Sequence, residues 1–309
     1  VSLPRQKELG DELHPVEVDP LHKYQLHTEL LEATWSVGDL DAAHTQWASV
    51  ARASGELPPG ELGESAVADV FTFTKVILEE CERVGVTHPG TASIPIELEL
   101  SGGRSLRGVV TEVDPTRPGP IRIGARRLKP KHELGLWLDV LVLAAQDPSV
   151  AWQGVAIGRA NDRTQKGVKV PAAATLQPTI VGDDAAQRSA VAGAALGTLV
   201  ELYLRNLSEP LPLWPETAAK LCGRKKLPTG NWDFTLPGGA RIGDGYEAAT
   251  REIWGDLSEH DYESLPARSD DPGNPAEPSR ARRLAHVIWS AFDASVTGSL
   301  NSQTPQAAI

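Results

Sequence analysis

Not one methionine occurs in the 309 residues, and only two cysteines do. Cys81 and Cys222 lie far apart and neither belongs to a Cys-x-x-Cys pair, which removes zinc ribbons and redox dithiols and fits a reduced, cytoplasmic protein. No apolar run approaches the ~18 residues of a membrane span, so no membrane association is expected. The opening run Val1-Ser2-Leu3-Pro4-Arg5-Gln6-Lys7 has no signal-peptide core. Without an initiating methionine the chain reads as a piece of something longer. There is no Gly-x-x-x-x-Gly-Lys-Ser/Thr loop, so the chain is not an NTPase by itself. The eight histidines include no His-x-x-x-His pair, and no cofactor is implied. No internal repeat is visible.

What is present suits a globular protein. The chain is 40% hydrophobic and 23% charged, enough for a real core with an ordinary soluble surface. The net charge of −11 makes the surface as a whole repel nucleic acid, so any DNA contact needs a local basic patch.

Helical spacing predicts two helices between Asp19 and Arg52, broken at Gly38, with Leu40, Ala43, Trp47 and Val50 on one face of the second. Gly55 to Gly60 is a turn. Ser65 to Val84 is amphipathic, with Val67, Val70, Phe71, Thr74, Ile77, Leu78 and Cys81 on its inner face. The period then switches to two. Ile94–Leu100 and Leu106–Val113 read as a hairpin around Ser101-Gly102-Gly103-Arg104, followed by a short strand Ile121–Ile123. Leu134–Ala145 is a nearly all-apolar helix, Val155–Ile157 another strand, and Gln187–Asn206 and Arg280–Phe292 further helices. Pro266, Pro272, Pro275 and Pro278 mark 264–280 as a flexible linker. The division expected is an N-terminal helical segment (1–63), an α/β core (64–185) and a C-terminal helical region (186–309).

Several ordered segments resemble the C-terminal region of the RecC family, the gamma subunit of RecBCD helicase–nucleases (exodeoxyribonuclease V). They include Asp19-Pro20-Leu21-His22-Lys23-Tyr24-Gln25-Leu26, Gly55-Glu56-Leu57-Pro58-Pro59-Gly60, Leu106-Arg107-Gly108-Val109-Val110, Leu136-Trp137-Leu138 and Val200-Glu201-Leu202-Tyr203. They cover roughly residues 15–215, with only a loose match from Cys222 onward. The resemblance implies an α/β fold with a restriction-endonuclease-like (PD-(D/E)XK) core, a small mixed sheet, and flanking N- and C-terminal helices. It also implies a non-catalytic scaffold and DNA-guiding module of a DNA repair complex, with RecB-like and RecD-like helicase subunits and double- and single-stranded DNA as partners.

An active nuclease of this type needs carboxylates on adjacent strands to hold Mg²⁺ and a lysine for the attacking water. Here Gly108-Val109-Val110-Thr111 puts threonine at the first ligand position. Ile121-Arg122-Ile123 has no acid where the second is due. Glu133 and Trp137 replace the family's Gln-x-x-x-Tyr pair. No catalytic or metal-binding residue is therefore expected, and Glu112 and Asp114 read as a solvated strand end. The rival readings are an active Mg²⁺-dependent nuclease with displaced acids, and a protein-interaction domain that does not contact DNA.

From Arg104 to Lys131 the sequence carries eight Arg and Lys against Glu112 and Asp114, a net of +6. Such a patch can hold phosphates; it also fits a solvated loop or an interface with an acidic partner. The candidate DNA-binding residues are Arg122, Arg126, Arg127, Lys129 and Lys131. Arg224-Lys225-Lys226 reads as exposed. Trp35, Trp47, Trp137 and Trp289 are expected in the core, and Trp232 and Trp254 are candidates for a partner surface.

Overall fold

The computed structural model describes residues 20–297, apart from 56, 162, 166–167, 225–231, 233 and 236–240. The chain starts with α1 (Pro20–Val37) and α2 (Leu40–Ala53). Gly38, at φ 82, breaks them apart, and the Asp39 side chain accepts from the Ala42 N–H at 2.8 Å to cap α2. α2 buries Ala43, Trp47, Ala48 and Ala51, while Val50 faces solvent, a correction to the expected stripe. α3 (Glu61–Val84) starts four residues before the expected Ser65, because Glu61 and Glu64 suit a first turn and Gly60 turns the chain into it at φ 67. Phe73 rather than Phe71 lies on its buried face.

A mixed sheet follows. β2 (Arg104–Asp114) runs antiparallel to both of its neighbours, β1 (Ala92–Leu100) and β3 (Gly119–Arg127). α4 (Pro130–Gln146) then crosses over to β4 (Val155–Arg159), which lies parallel to β3. A small hairpin, β5 (Arg163–Gln165) with β6 (Val168–Val170), leads to β7 (Ala173–Leu176), antiparallel to β4. The sheet order is β1-β2-β3-β4-β7. A parallel neighbour demands a crossover helix, which is why α4 lies between β3 and β4. The short β5, β6 and β7 strands carried too few residues to show a period in the sequence.

β8 (Thr179–Ile180) leads into α5 (Ala185–Ser208) and α6 (Pro215–Leu221). Two residue pairs, β9 (Phe234–Thr235) and β10 (Arg241–Ile242), form a second small ladder. α7 (Ala248–Trp254), α8 (Glu259–Glu263) and α9 (Arg280–Ser295) follow, and β11 (Val296–Thr297) pairs back onto β8.

The sheet separates two apolar layers. Leu31, Phe73 and Ile77 of α1 and α3 pack under Ile121, Ile123, Val155 and Ile157. On the other side Ile96, Val110, Trp137, Val140, Leu196, Trp289 and Phe292 form one core, which therefore runs from the β1–β2 hairpin to α9. Trp137 donates to the Ser295 hydroxyl at 2.8 Å, tying α4 to the end of α9.

The expected flexible linker at 264–280 is instead a loop closed on itself. The Arg283 guanidinium, on a residue only 6% exposed, donates to the carbonyls of Arg268, Pro275 and Glu277. Arg280 pairs with buried Asp271 at 3.1 Å and with Glu209 at 2.6 Å. Four prolines and few apolar residues look like disorder in sequence, but here two arginines from the following helix supply the partners that the loop backbone needs. Trp232 is likewise not a partner surface: it is 1% exposed, stacked on Tyr262 at 4.4 Å. Arg224 is not simply exposed either, since its guanidinium lies 4.2 Å over the Trp289 ring and pairs with Asp293 at 2.7 Å. Lys225, Lys226, Gly238 and Gly239 lie outside the described residues.

Candidate functional site

The site begins with a fault in the β1–β2 ladder. Pairing runs regularly from Leu100↔Arg104 to Ile94↔Val110, after which Ser93 stands alone opposite Thr111 and Glu112 before Ala92↔Val113 resumes. That is a β-bulge, and Glu112 takes φ 59, the one positive φ outside glycine among the described residues. Gly90 packs against it from beyond β1. A Cβ on Gly90 would stand 1.8 Å from the Glu112 carbonyl oxygen, and the Gly90 N–H donates to the Ile121 carbonyl at 2.9 Å. Beyond the bulge β2 pairs with β3 only at Val113↔Pro120 and Asp114↔Gly119, so the two strands fork there.

The bulge reverses the alternation of side chains. Thr111 is exposed, while Glu112 turns toward β3 and accepts from Arg122 Nε at 2.9 Å. The same guanidinium reaches Asp139 on α4, at 2.5 Å. Glu112 is thus not the solvated strand end expected from sequence. Asp114 is: it caps the turn by accepting from the Thr116 N–H at 2.7 Å, and these hydrogen bonds hold its carboxyl below the usual range. Burial pushes the Asp139 carboxyl up; Arg122 opposes that, and the nearby Glu112 charge adds to it. The chemical sense is simple: two carboxylates at the strand fork already share one fixed, permanently charged guanidinium. Among the described residues no group of three or more His, Cys, Asp or Glu is placed to hold a metal. Glu133 is buried and pairs with Arg224 at 3.5 Å, away from the fork.

The five candidate DNA residues divide. Arg122 belongs to the ion triad. Lys129 pairs with the nearly buried Glu216 of α6 at 3.1 Å. Arg126, Arg127 and Lys131 have no ion pair among the described residues, and Arg127 and Lys131 are exposed. His132, whose Nδ1 accepts from the Lys129 N–H at 3.0 Å, senses most of this group. Burial first, then Arg126, Lys131, Lys129 and Arg122, lower its pKa to about 4. Four of the five cations therefore converge on the first turn of α4, whose free N–H groups add to the positive field. Arg127 stands outside that set, opposite Arg159 of β4. Of the other patch residues, Arg107 pairs with Glu97 at 2.8 Å, and Arg117 donates to the Val84 carbonyl and to Gln153. Sequence reasoning missed Asp139 and Glu216. Asp139 had a visible signal, a lone charge inside the apolar run from Leu136 to Ala145; nothing in the sequence announced the bulge.

A family model described as the RecC C-terminal domain matches residues 1–225. The chain belongs to the RecC family. RecBCD enzyme subunit RecC of Mycobacterium tuberculosis (strain ATCC 25618 / H37Rv) is 29% identical over 219 residues, covering 69% of this chain and 17% of that protein. RecBCD enzyme subunit RecC of Mycolicibacterium smegmatis (strain ATCC 700084 / mc(2)155) is 29% identical over 228 residues, 72% of this chain and 19% of that protein. The chain thus spans under a fifth of the length of these relatives. The RecC match takes in the whole sheet, the ion triad and the basic cluster, and stops before the helices that complete the core.

Proposed function

We propose that this chain is a non-catalytic scaffold and DNA-guiding module of a RecBCD-type helicase–nuclease, acting in double-strand break repair with RecB-like and RecD-like subunits. The observation that carries this reading is Arg122. A divalent ion at the strand fork would have to displace a guanidinium already bound to both nearby carboxylates. The helix-strand-strand-strand-helix-strand order, with β4 parallel to β3, supports descent from a restriction-endonuclease-like nuclease whose metal site has closed. The outer cations Arg126, Arg127 and Lys131 are left to meet phosphates, which position a nucleic acid without reading its bases.

The test is to incubate the chain with linear DNA and Mg²⁺ or Mn²⁺, and to measure DNA binding as salt is raised. No cleavage is expected. Binding should be weak, on the order of 10⁻⁴–10⁻⁶ M, and should fall steeply with salt as counterions return to the phosphates. Replacing Arg126, Arg127 and Lys131 by Ala should flatten the salt slope. Cleavage that Glu112→Ala abolishes would refute the non-catalytic reading. A triple variant that binds DNA unchanged but no longer assembles with its helicase subunits would make the cluster a protein interface.

A further inference from the structure

The sheet guards one strand edge and leaves another open. On the outside of β1 the Gln146 side chain accepts from the Glu97 N–H and donates to the Pro95 carbonyl, both at 2.9 Å, and Pro95 has no N–H to offer. Such an edge is closed to further pairing. The same two bonds fix the direction of the backbone groups throughout the hairpin. Pro95 and Glu97 point away from β2, so the ladder bonds run from Ile94, Ile96 and Leu98 to Val110, Gly108 and Leu106. Ser105, Arg107 and Val109 therefore turn their N–H and C=O groups the other way, toward β3. β3 does not meet them. Continued in the register of Val113↔Pro120 and Asp114↔Gly119, the two strands would set Val109 against Gly124 and Arg107 against Arg126, but the pairing stops at the bulge. Among the described residues these backbone groups of Ser105, Arg107 and Val109 have no hydrogen-bond partner. All three residues are exposed, Val109 at 61%.

We propose that this inner edge of β2 is a docking site for an extended segment of a partner protein, which adds to it as a further strand. The backbone selects the class of partner. N–H and C=O groups alternate along the edge, so its carbonyls repel a polyanionic nucleic acid, whereas another peptide backbone complements both. The side chains select the sequence. On the face away from α4, an acid suits the position beside Arg107 and a β-branched apolar residue the position beside Val109. Glu97 already pairs with Arg107 at 2.8 Å, but it lies on the far strand and the two side chains are 69% and 71% exposed, which leaves the guanidinium open to a second carboxylate. Arg126, at the same level of β3, adds a cation on the other wall of the fork. The residue between those two positions faces α4 beside Gly108, where a Cβ would meet nothing within 4 Å. Leu106 and Leu134 are only partly buried at the margin of the core there, which suits a leucine. The segment is thus an acid, a leucine and a β-branched residue in succession, read in either direction. The inference stands apart from the DNA-guiding reading, since an acid beside Arg107 needs none of the cations at α4.

The experiment follows amide exchange by NMR in the 309-residue chain with the acetylated peptide Thr-Thr-Val-Leu-Glu-Thr-Thr and with its reverse, which cover the two strand directions. One of them should slow exchange at Ser105, Arg107 and Val109 by about tenfold near saturation and leave the amides of α9 unchanged. Lys in place of Glu in that peptide should weaken binding by about fivefold, and Arg107→Glu should invert the preference. Val109→Pro removes the central N–H at a position where an edge strand tolerates proline, so it should abolish binding while the circular dichroism and melting temperature stay those of the parent. If Val109→Pro unfolds the chain, the inversion by Arg107→Glu decides alone. Peptides that leave the three amides unprotected, or a preference that Arg107→Glu does not change, overturn the proposal. So does equal protection by a single-stranded oligonucleotide, which assigns the edge to DNA, or protection that grows with protein concentration alone, which assigns it to a second copy of the chain.

Discussion

Replacing Arg122 by Met keeps most of the volume of the side chain and removes its charge. The carboxylates of Glu112 and Asp139 are then left facing each other at the strand fork. Breaking a fully buried ion pair by deleting one partner costs roughly 3–5 kcal/mol. Arg122 and Asp139 keep about a fifth of their side-chain surface, at 22% and 20%, and Glu112 keeps 41%. Solvent screening therefore trims the cost to about 2–3 kcal/mol. At roughly 2 °C per kcal/mol for a chain of this size, the melting temperature should fall by about 4–6 °C at pH 7. The pH dependence fixes the cause. Burial already raises the folded-state pKa of Asp139, and without Arg122 it rises further, so the folded form binds a proton more readily than the unfolded form does. The penalty is fully present above that raised value and shrinks as pH falls through it toward the ordinary carboxylate range near ~3.9. The gap between variant and parent, followed by differential scanning calorimetry, should accordingly narrow as pH is lowered from 7 toward the ordinary carboxylate range. Adding Glu112→Gln and Asp139→Asn should recover at least half of the loss. A single variant as stable as the parent at pH 7, or a triple variant as unstable as the single one, would refute the picture of one guanidinium compensating two acids.

Gly90→Ala should cost more than an ordinary surface change, about 2–3 kcal/mol, because its methyl would meet the Glu112 carbonyl and force the bulge to move; chemical denaturation measures this. Arg283→Met should open the 264–280 loop to limited proteolysis at concentrations that leave the parent intact, since three loop carbonyls lose their shared donor. Burial pushes the Cys81 thiol up to about 12 and the Cys222 thiol up to about 11. Both should therefore react slowly with a thiol-specific disulfide reagent at pH 8 in the folded chain, and fully once it is unfolded.

The elements with a clean period could be read from sequence, and those fixed by contacts between distant residues could not. Ile94 to Leu100 alternates because one face is wet, and Val67 to Cys81 recurs at helical spacing because one face is buried; both patterns are local consequences of burial. Glu112 shows the limit. Strict alternation from the buried Val110 would turn Val113 outward, whereas both lie in the same core, and only the single residue Ser93 opposite Thr111 and Glu112 corrects the parity. A bulge is a property of two strands together, so neither strand shows it alone. The loop at 264–280 failed for a related reason, its order residing in Arg280 and Arg283 on the next helix. The basic stretch at 104–131 was visible by composition, but the acids that occupy Arg122 and Lys129 include two from outside it, Asp139 on α4 and Glu216 on α6.

The bond between Trp137 and Ser295 spans 158 residues, and this sets a clock on synthesis. At ~5–20 residues per second, α4 emerges from the ribosome about 8–30 s before the helix that must cover it. Throughout that interval the faces of α4 and α5 later met by Ala281, Ala285, Trp289 and Phe292 stand uncovered on the nascent chain. Residues 1–225, which carry the family resemblance, complete the sheet but lack this last layer, so a chain released there would present that uncovered apolar face to holdase chaperones.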